Sequence, residues 1–193
     1  MFGFYETRNA LLSKAAALGL PAGALIESGQ VELLWQPATE ALIDELCHRL
    51  VDTVRRRKIK RLFIDGLGGF EKLAVEPARL GRIFSALSNE FRALGVTAVY
   101  SAEMRLGDDG AALRELEVHG VSSIAENIVM MRYLGMRSSL HRLISVLKVR
   151  DARVDDALRK FIIGPGGITI ENDHHSAEQL LAEPKHRNLR HYP

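Results

Sequence analysis

Two amphipathic stripes at helical spacing, each running into a short apolar segment, constrain this fold more than any other feature of the chain. Leu42, Ile43, Leu46, Leu50, Val51 and Val54 form the first and are followed closely by the segment Arg61 to Asp65. Leu80, Ile83, Phe84, Leu87, Phe91 and Leu94 form the second, with Pro77 suited to its first turn, Gly95 closing it, and a strand expected over residues 96–101. Helices alternating with short strands predict parallel βα units, because parallel strands need a helix-length crossover. Upstream, Thr7 is placed to cap a helix over residues 8–19 that carries Leu11, Leu12, Ala15, Ala16 and Leu18 and ends at a Gly-Leu-Pro break. Residues 31–35 then read as a buried strand, and Thr39 as the cap of the helix that runs to about Arg57.

After Ser101 the alternation gives way to consecutive strands. Residues 127–134 and 140–148 are strand-like and separated by a short polar connection, and residues 157–163 and 168–170 flank Gly164-Pro165-Gly166-Gly167. The pattern is α/β: a mixed, mostly parallel sheet with helices on its faces and a carboxyl-terminal antiparallel hairpin extension. A chain of 193 residues, 47% hydrophobic, can bury a sizeable core. It has no apolar run of membrane-spanning length and no charged leader before an apolar run, so the expected location is the cytoplasm and no membrane partner is expected. Residues 173–193 form a polar, His-rich tail whose histidines lack the spacing of a closed zinc site.

The segment Arg61-Leu62-Phe63-Ile64-Asp65 has the form of a Walker B strand, an apolar strand ending in a carboxylate. Its usual companion, a Gly-rich loop with a Lys for the outer phosphates and a Ser or Thr for the metal, is not found, since no Gly-Lys dipeptide occurs in these 193 residues. Gly66-Leu67-Gly68-Gly69 lacks the spacing of a dinucleotide fingerprint and reads as a flexible loop. The cluster Arg55, Arg56, Arg57, Lys58, Lys60 and Arg61 closes an amphipathic helix and lacks interleaved aromatics, so a nucleic-acid partner is not expected. Cys47, the single cysteine, lies among apolar neighbours and reads as a structural thiol.

Phe4-Tyr5-Glu6-Thr7, the run from Lys14 to Gly19, Ile64-Asp65, Gly120-Val121, Leu147-Lys148-Val149-Arg150 and the ending from Phe161 to Ile170 occur in an order that resembles the KaiC family of RecA-superfamily ATPases, known from the circadian clock. The resemblance runs from about Phe4 to Asn172. It implies a three-layer RecA-like P-loop NTPase fold over residues 1–172, truncated at its amino terminus: the first strand, the P-loop and its helix would be absent, although in such domains that strand lies inside the sheet. It implies a role in ATP binding and hydrolysis and in signal transduction, with ATP and magnesium as cofactors held weakly by this chain, and a homo-oligomer such as a ring.

The resemblance also assigns positions. Asp65 would hold the magnesium through water. The family's pair of adjacent glutamates corresponds here to Tyr5 and Glu6, so only Glu6 remains as a catalytic carboxylate, and a phenol with a pKa of about 10 is a poor base. Lys148-Val149-Arg150 would contact nucleotide across a subunit boundary, with Lys148 and Arg150 projecting to one face and Val149 to the other. The plainer alternative pairs Arg150 with Asp151, Asp155 or Asp156. Glu103 matches a polar strand-end position, and Ser122 and Ser123 match a phosphorylated pair. A non-catalytic pseudo-ATPase module and a nucleic-acid-binding relative are the competing readings.

Overall fold

The structure, a computed structural model, describes residues 1–39, 42–103, 124–136, 139–155 and 157–172. Ser122, Ser123 and the His-rich tail lie outside the described residues. The chain divides into two compact units, Met1–Ala125 and Glu126–Pro193. Together they carry the parallel strands and the antiparallel hairpins of an α/β protein as two four-stranded sheets.

In the first unit the strands are β1 (Phe2–Gly3), β2 (Leu34–Trp35), β3 (Arg61–Asp65) and β4 (Thr97–Tyr100), all parallel, in the order β2-β1-β3-β4. The helices are α1 (Arg8–Ala17), α2 (Ala22–Glu27), α3 (Ile43–Arg56), α4 (Gly68–Leu73) and α5 (Leu80–Ala93). Alternation along β3 buries Leu62 and Ile64, which join Phe2 and Phe4 under Ile43, Leu46, Leu50 and Val54 of α3 and Leu80, Phe84, Leu87 and Phe91 of α5. A chain of edge-on rings knits this core, with centroids 4.9 Å apart for Phe2–Phe4 and Phe4–Phe70 and 5.5 Å for Phe70–Phe84. On the opposite face Leu11 of α1, Gly3 and Trp35 line a cavity of about 20 Å³. Phe63 and Val99, also on that face, are exposed.

Three helices stop by one device. The residue after the C-cap is left-handed, and two backbone bonds fold back over the last turn. In α5 Gly95 (φ 65°) donates to Arg92 O (3.0 Å) and Val96 to Phe91 O (2.9 Å). Gly19 and Leu20 do the same for α1, but in α3 the left-handed position is taken by Lys58 at φ 53°.

Several local expectations change. Residues 31–35 are not a buried strand: only Leu34–Trp35 pair, at the sheet edge, and Trp35 is exposed. Thr39 does not cap α3, which starts at Ile43 behind Leu42 without a side-chain cap. Pro77 opens a 3-10 turn, Pro77–Arg79, that leads into α5. Gly66–Gly69 is no flexible loop, because Gly66 turns at φ 88° into α4, where Gly69 and Phe70 are buried.

The second unit is an antiparallel sheet of β5 (Asn127–Met136), β6 (Ser139–Val149), β7 (Arg159–Gly164) and β8 (Gly167–Ile170), in sequence order. Gly164 pairs with Gly167 across a two-residue turn with Gly166 at φ 89°, the hairpin the Gly-Pro-Gly-Gly run predicts. No described helix is long and apolar enough to cross a membrane.

Candidate functional site

The parallel strands of the first unit end on the same side, and Tyr5, Glu6, Asp65 and Ser101 lie at those carboxyl ends. This is where open α/β sheets place ligands, since the helices connecting the strands leave a crevice there. Register puts Gly3 opposite Asp65, and a Cβ on Gly3 would stand 3.4 Å from that of Asp65. Asp65 is half-buried. Its Oδ1 accepts a hydrogen bond of 2.8 Å from the Ser101 hydroxyl, which itself accepts from Gly66 N at 2.8 Å. Leu67 N donates to Ser101 O at 2.9 Å, and Ser101 N to Ile64 O at 3.0 Å. Ser101 thus stitches the end of β4 to the end of β3 and fixes one carboxylate oxygen.

Ser101, not Glu103, makes this contact; Glu103 is exposed. A small hydroxyl residue is common at strand ends, and only the pairing of β4 beside β3 singles this one out.

The glycines after Asp65 have a packing explanation. A Cβ on Gly66 would lie 2.6 Å from Tyr5 Cε2, and one on Gly69 would overlap the Phe4 ring. Tyr5 therefore lies on the turn that follows Asp65, and Lys72 Nζ sits 5.0 Å from its ring centroid. Glu6 is engaged by Lys14 in an exposed ion pair. Tyr5 is thus a ring packed on glycine and Glu6 a carboxylate paired with a lysine.

Among the described residues no three His, Cys, Asp or Glu side chains gather to hold a metal. Asp65 alone is too little for a resident ion, but one carboxylate suits a magnesium that keeps its waters and arrives on nucleotide oxygens. Cys47 packs against the core, and burial, with Asp44 nearby, pushes its thiol up to about 11, which removes it as a nucleophile at neutral pH. The basic helix end is drawn into contacts: Arg55 with Glu90 (2.5 Å), Arg57 with Glu32 (2.9 Å), and Lys60 with the Leu94 carbonyl (3.1 Å).

In the second unit Lys148, Val149 and Arg150 form the end of β6 and the residue beyond it. Pairing shifts there: Val129 faces Val146 while Ile128 faces Lys148, so Leu147 is an extra residue. The bulge moves Lys148 to the face opposite Val146, away from the stripe that plain alternation along β6 would have continued. Arg150 N donates to Glu126 O (2.8 Å), and its guanidinium lies 3.9 Å from the Glu126 carboxylate. The acid seen beside Arg150 is Glu126; Asp155 pairs with Arg159 (2.6 Å), and Asp156 lies outside the described residues.

The sequence model of the ATPase family KaiC matches residues 1–175. The chain belongs to the KaiC family of ATPases. It is 22% identical to the circadian clock oscillator protein KaiC of Picosynechococcus sp. over 190 residues, covering 94% of this chain and 34% of that protein. Its identity to the protein of the same name from Prochlorococcus marinus is 24% over 197 residues, covering 97% of this chain and 36% of the other. The chain spans about a third of the length of these relatives. It is an α/β KaiC-type domain of the RecA superfamily with a parallel four-stranded sheet.

Proposed function

We propose that this chain supplies the acidic half of a KaiC-type nucleotide site and is weak or inactive as an ATPase by itself. The observation that carries the reading is Asp65, held at the end of β3 by the Ser101 hydroxyl on the side of the sheet where nucleotide belongs. In this reading Asp65 takes magnesium through water, and the metal, when bound, neutralises phosphate charge. Lys148 and Arg150 meet the nucleotide of a neighbouring subunit in a cytoplasmic homo-oligomer. The relatives are named as circadian clock proteins, which supports a signalling role for the assembly.

Phosphate recognition rests mainly on the backbone amides and lysine of a P-loop, and these residues contain no such motif. A non-catalytic interaction module is the second reading. It is favoured by Tyr5 lying on Gly66 and by Glu6 being paired with Lys14, which leave no free base at the family's hydrolytic position.

Isothermal calorimetry with magnesium ATP tests the proposal. Weak or undetectable binding is expected, with any residual heat lost in Asp65→Ala. Tight, saturable binding that survives Asp65→Ala would overturn both the reading and the placement of the site.

A further inference from the structure

Two hydrogen bonds meet on one oxygen at the end of β3, and their directions are fixed. Gly66 N donates to Ser101 Oγ at 2.8 Å, so the hydroxyl proton points elsewhere, and Asp65 Oδ1, 2.8 Å away, is its acceptor. Backbone bonds hold Ser101 itself: its N–H donates to Ile64 O at 3.0 Å, and its carbonyl accepts from Leu67 N at 2.9 Å. Gly66 is held in turn, because it turns at φ 88° and the ring of Tyr5 lies where a side chain would stand. The Asp65 carboxylate is therefore oriented by a chain of contacts that ends in the β3–β4 register. Among the described residues no other group bonds this carboxylate, so Oδ1 is taken and Oδ2 is left. On the β1 side Gly3 stands opposite Asp65 in the register and adds no side chain there.

We propose that Ser101 is a positioning residue that makes Asp65 a one-oxygen ligand and thereby selects magnesium over calcium at this strand end. The proposal rests on the reading of Asp65 given above and adds to it the choice of cation. Calcium takes many oxygens in flexible geometry and can bind a carboxylate through both of its oxygens, whereas magnesium keeps several waters in a strict octahedron. A carboxylate with one oxygen committed to a hydroxyl loses the two-oxygen mode, which calcium uses and magnesium does not need. To bind calcium that way, Asp65 must give up the Ser101 bond. The hydroxyl, still accepting from Gly66 N, is then left without an acceptor in a half-buried place. Magnesium leaves all of these bonds intact. Hydrogen-bond partners one step out from a metal commonly change its affinity by about 10- to 100-fold.

Paramagnetic line broadening on the whole chain tests it, with manganese carried by ATP as the probe, because broadening registers occupancy too sparse for calorimetry. The amides of residues 65, 66 and 101 are expected to broaden in the wild type and not in Asp65→Ala. Magnesium ATP is expected to reverse the broadening at lower concentration than calcium ATP. Ser101→Ala is expected to weaken the manganese complex about tenfold and to bring the magnesium and calcium competition curves together. Ser101→Thr, which keeps the hydroxyl, restores both affinity and preference. The preference is a ratio measured within one folded protein, so a loss of stability alone does not move it. Should Ser101→Ala fail to fold, Ser101→Cys, close in size but a weak donor, takes its place. Equal competition by the two cations in the wild type overturns the proposal, as does a preference unchanged in the folded donor-deficient variant or a threonine variant that behaves as alanine. In each of these cases the Asp65-dependent broadening survives and the nucleotide reading stands. Broadening that is absent from the wild type, or that persists in Asp65→Ala, overturns the nucleotide reading and this proposal with it.

Discussion

Ser101 serves two partners with one oxygen, donating to Asp65 and accepting from Gly66 N. Replacing it by alanine strands a half-buried amide and frees the carboxylate to rotate. An amide deprived of its acceptor costs about 1–3 kcal/mol. Ser101→Ala is therefore expected to lower the urea midpoint by a stability loss in that range, and Ser101→Thr, which keeps the hydroxyl, to recover most of it. Equal stability in all three proteins would show that water replaces the hydroxyl without loss. The Ser101 contact itself was not legible from spacing, because Gly66 and Ser101 are brought together by the β3–β4 register. Asp65 was legible, because an apolar run ending in a carboxylate is a local pattern.

At the scale of elements, α3 ends with a lysine where α1 and α5 use glycine. Lys58 at φ 53° carries a Cβ in a conformation that costs an L-residue on the order of 1 kcal/mol and costs glycine little. Lys58→Gly is expected to raise stability by roughly 0.5–1 kcal/mol, despite the freer unfolded chain, as read from denaturant midpoints at constant m-value. A decrease would mean that the lysine side chain contributes more than its backbone strain. The helices with strong stripes, α3 and α5, and the four strands of the hairpin sheet were all legible, because burial on one side imposes a period on the sequence. Of the first-unit strands, β1 was not, and β2, expected over residues 31–35, is only two residues long like β1. Too short for any period, they are defined by pairing alone. The short helix α4 was hidden for a related reason: its glycines signal a loop, yet they are there to admit the rings of Phe4 and Tyr5. The bulge at Leu147 left no local signal either, and it decides which face Lys148 takes.

On the scale of the whole molecule, the parallel sheet is covered on the side of α3 and α5 and ends at β4, which pairs only with β3 among the described residues. Parallel sheets are ordinarily buried on both faces, so an exposed Phe63 and Val99 beside an edge that is unpaired among the described residues leave a place for a further strand and helix. We propose that a phosphate-loop strand, which the resemblance to RecA-type domains places inside the sheet, fits beside β4. Hydrogen exchange resolved by residue tests it. Thr97 N donates to Lys60 O (2.9 Å) and Ser101 N to Ile64 O (3.0 Å), which fixes the alternation of β4. The amides of Thr97, Val99 and Ser101 point to β3, and those of Ala98 and Tyr100 point away from it. In the isolated chain Ala98 and Tyr100 are expected to exchange orders of magnitude faster than their three neighbours, close to the rate of an unprotected amide. Adding a polypeptide that carries an intact phosphate-loop strand and slots beside β4 would slow those two amides and leave the other three unchanged. If Ala98 and Tyr100 are as protected as Thr97 in the chain alone, the edge is already paired, and the idea that a strand is wanted there fails.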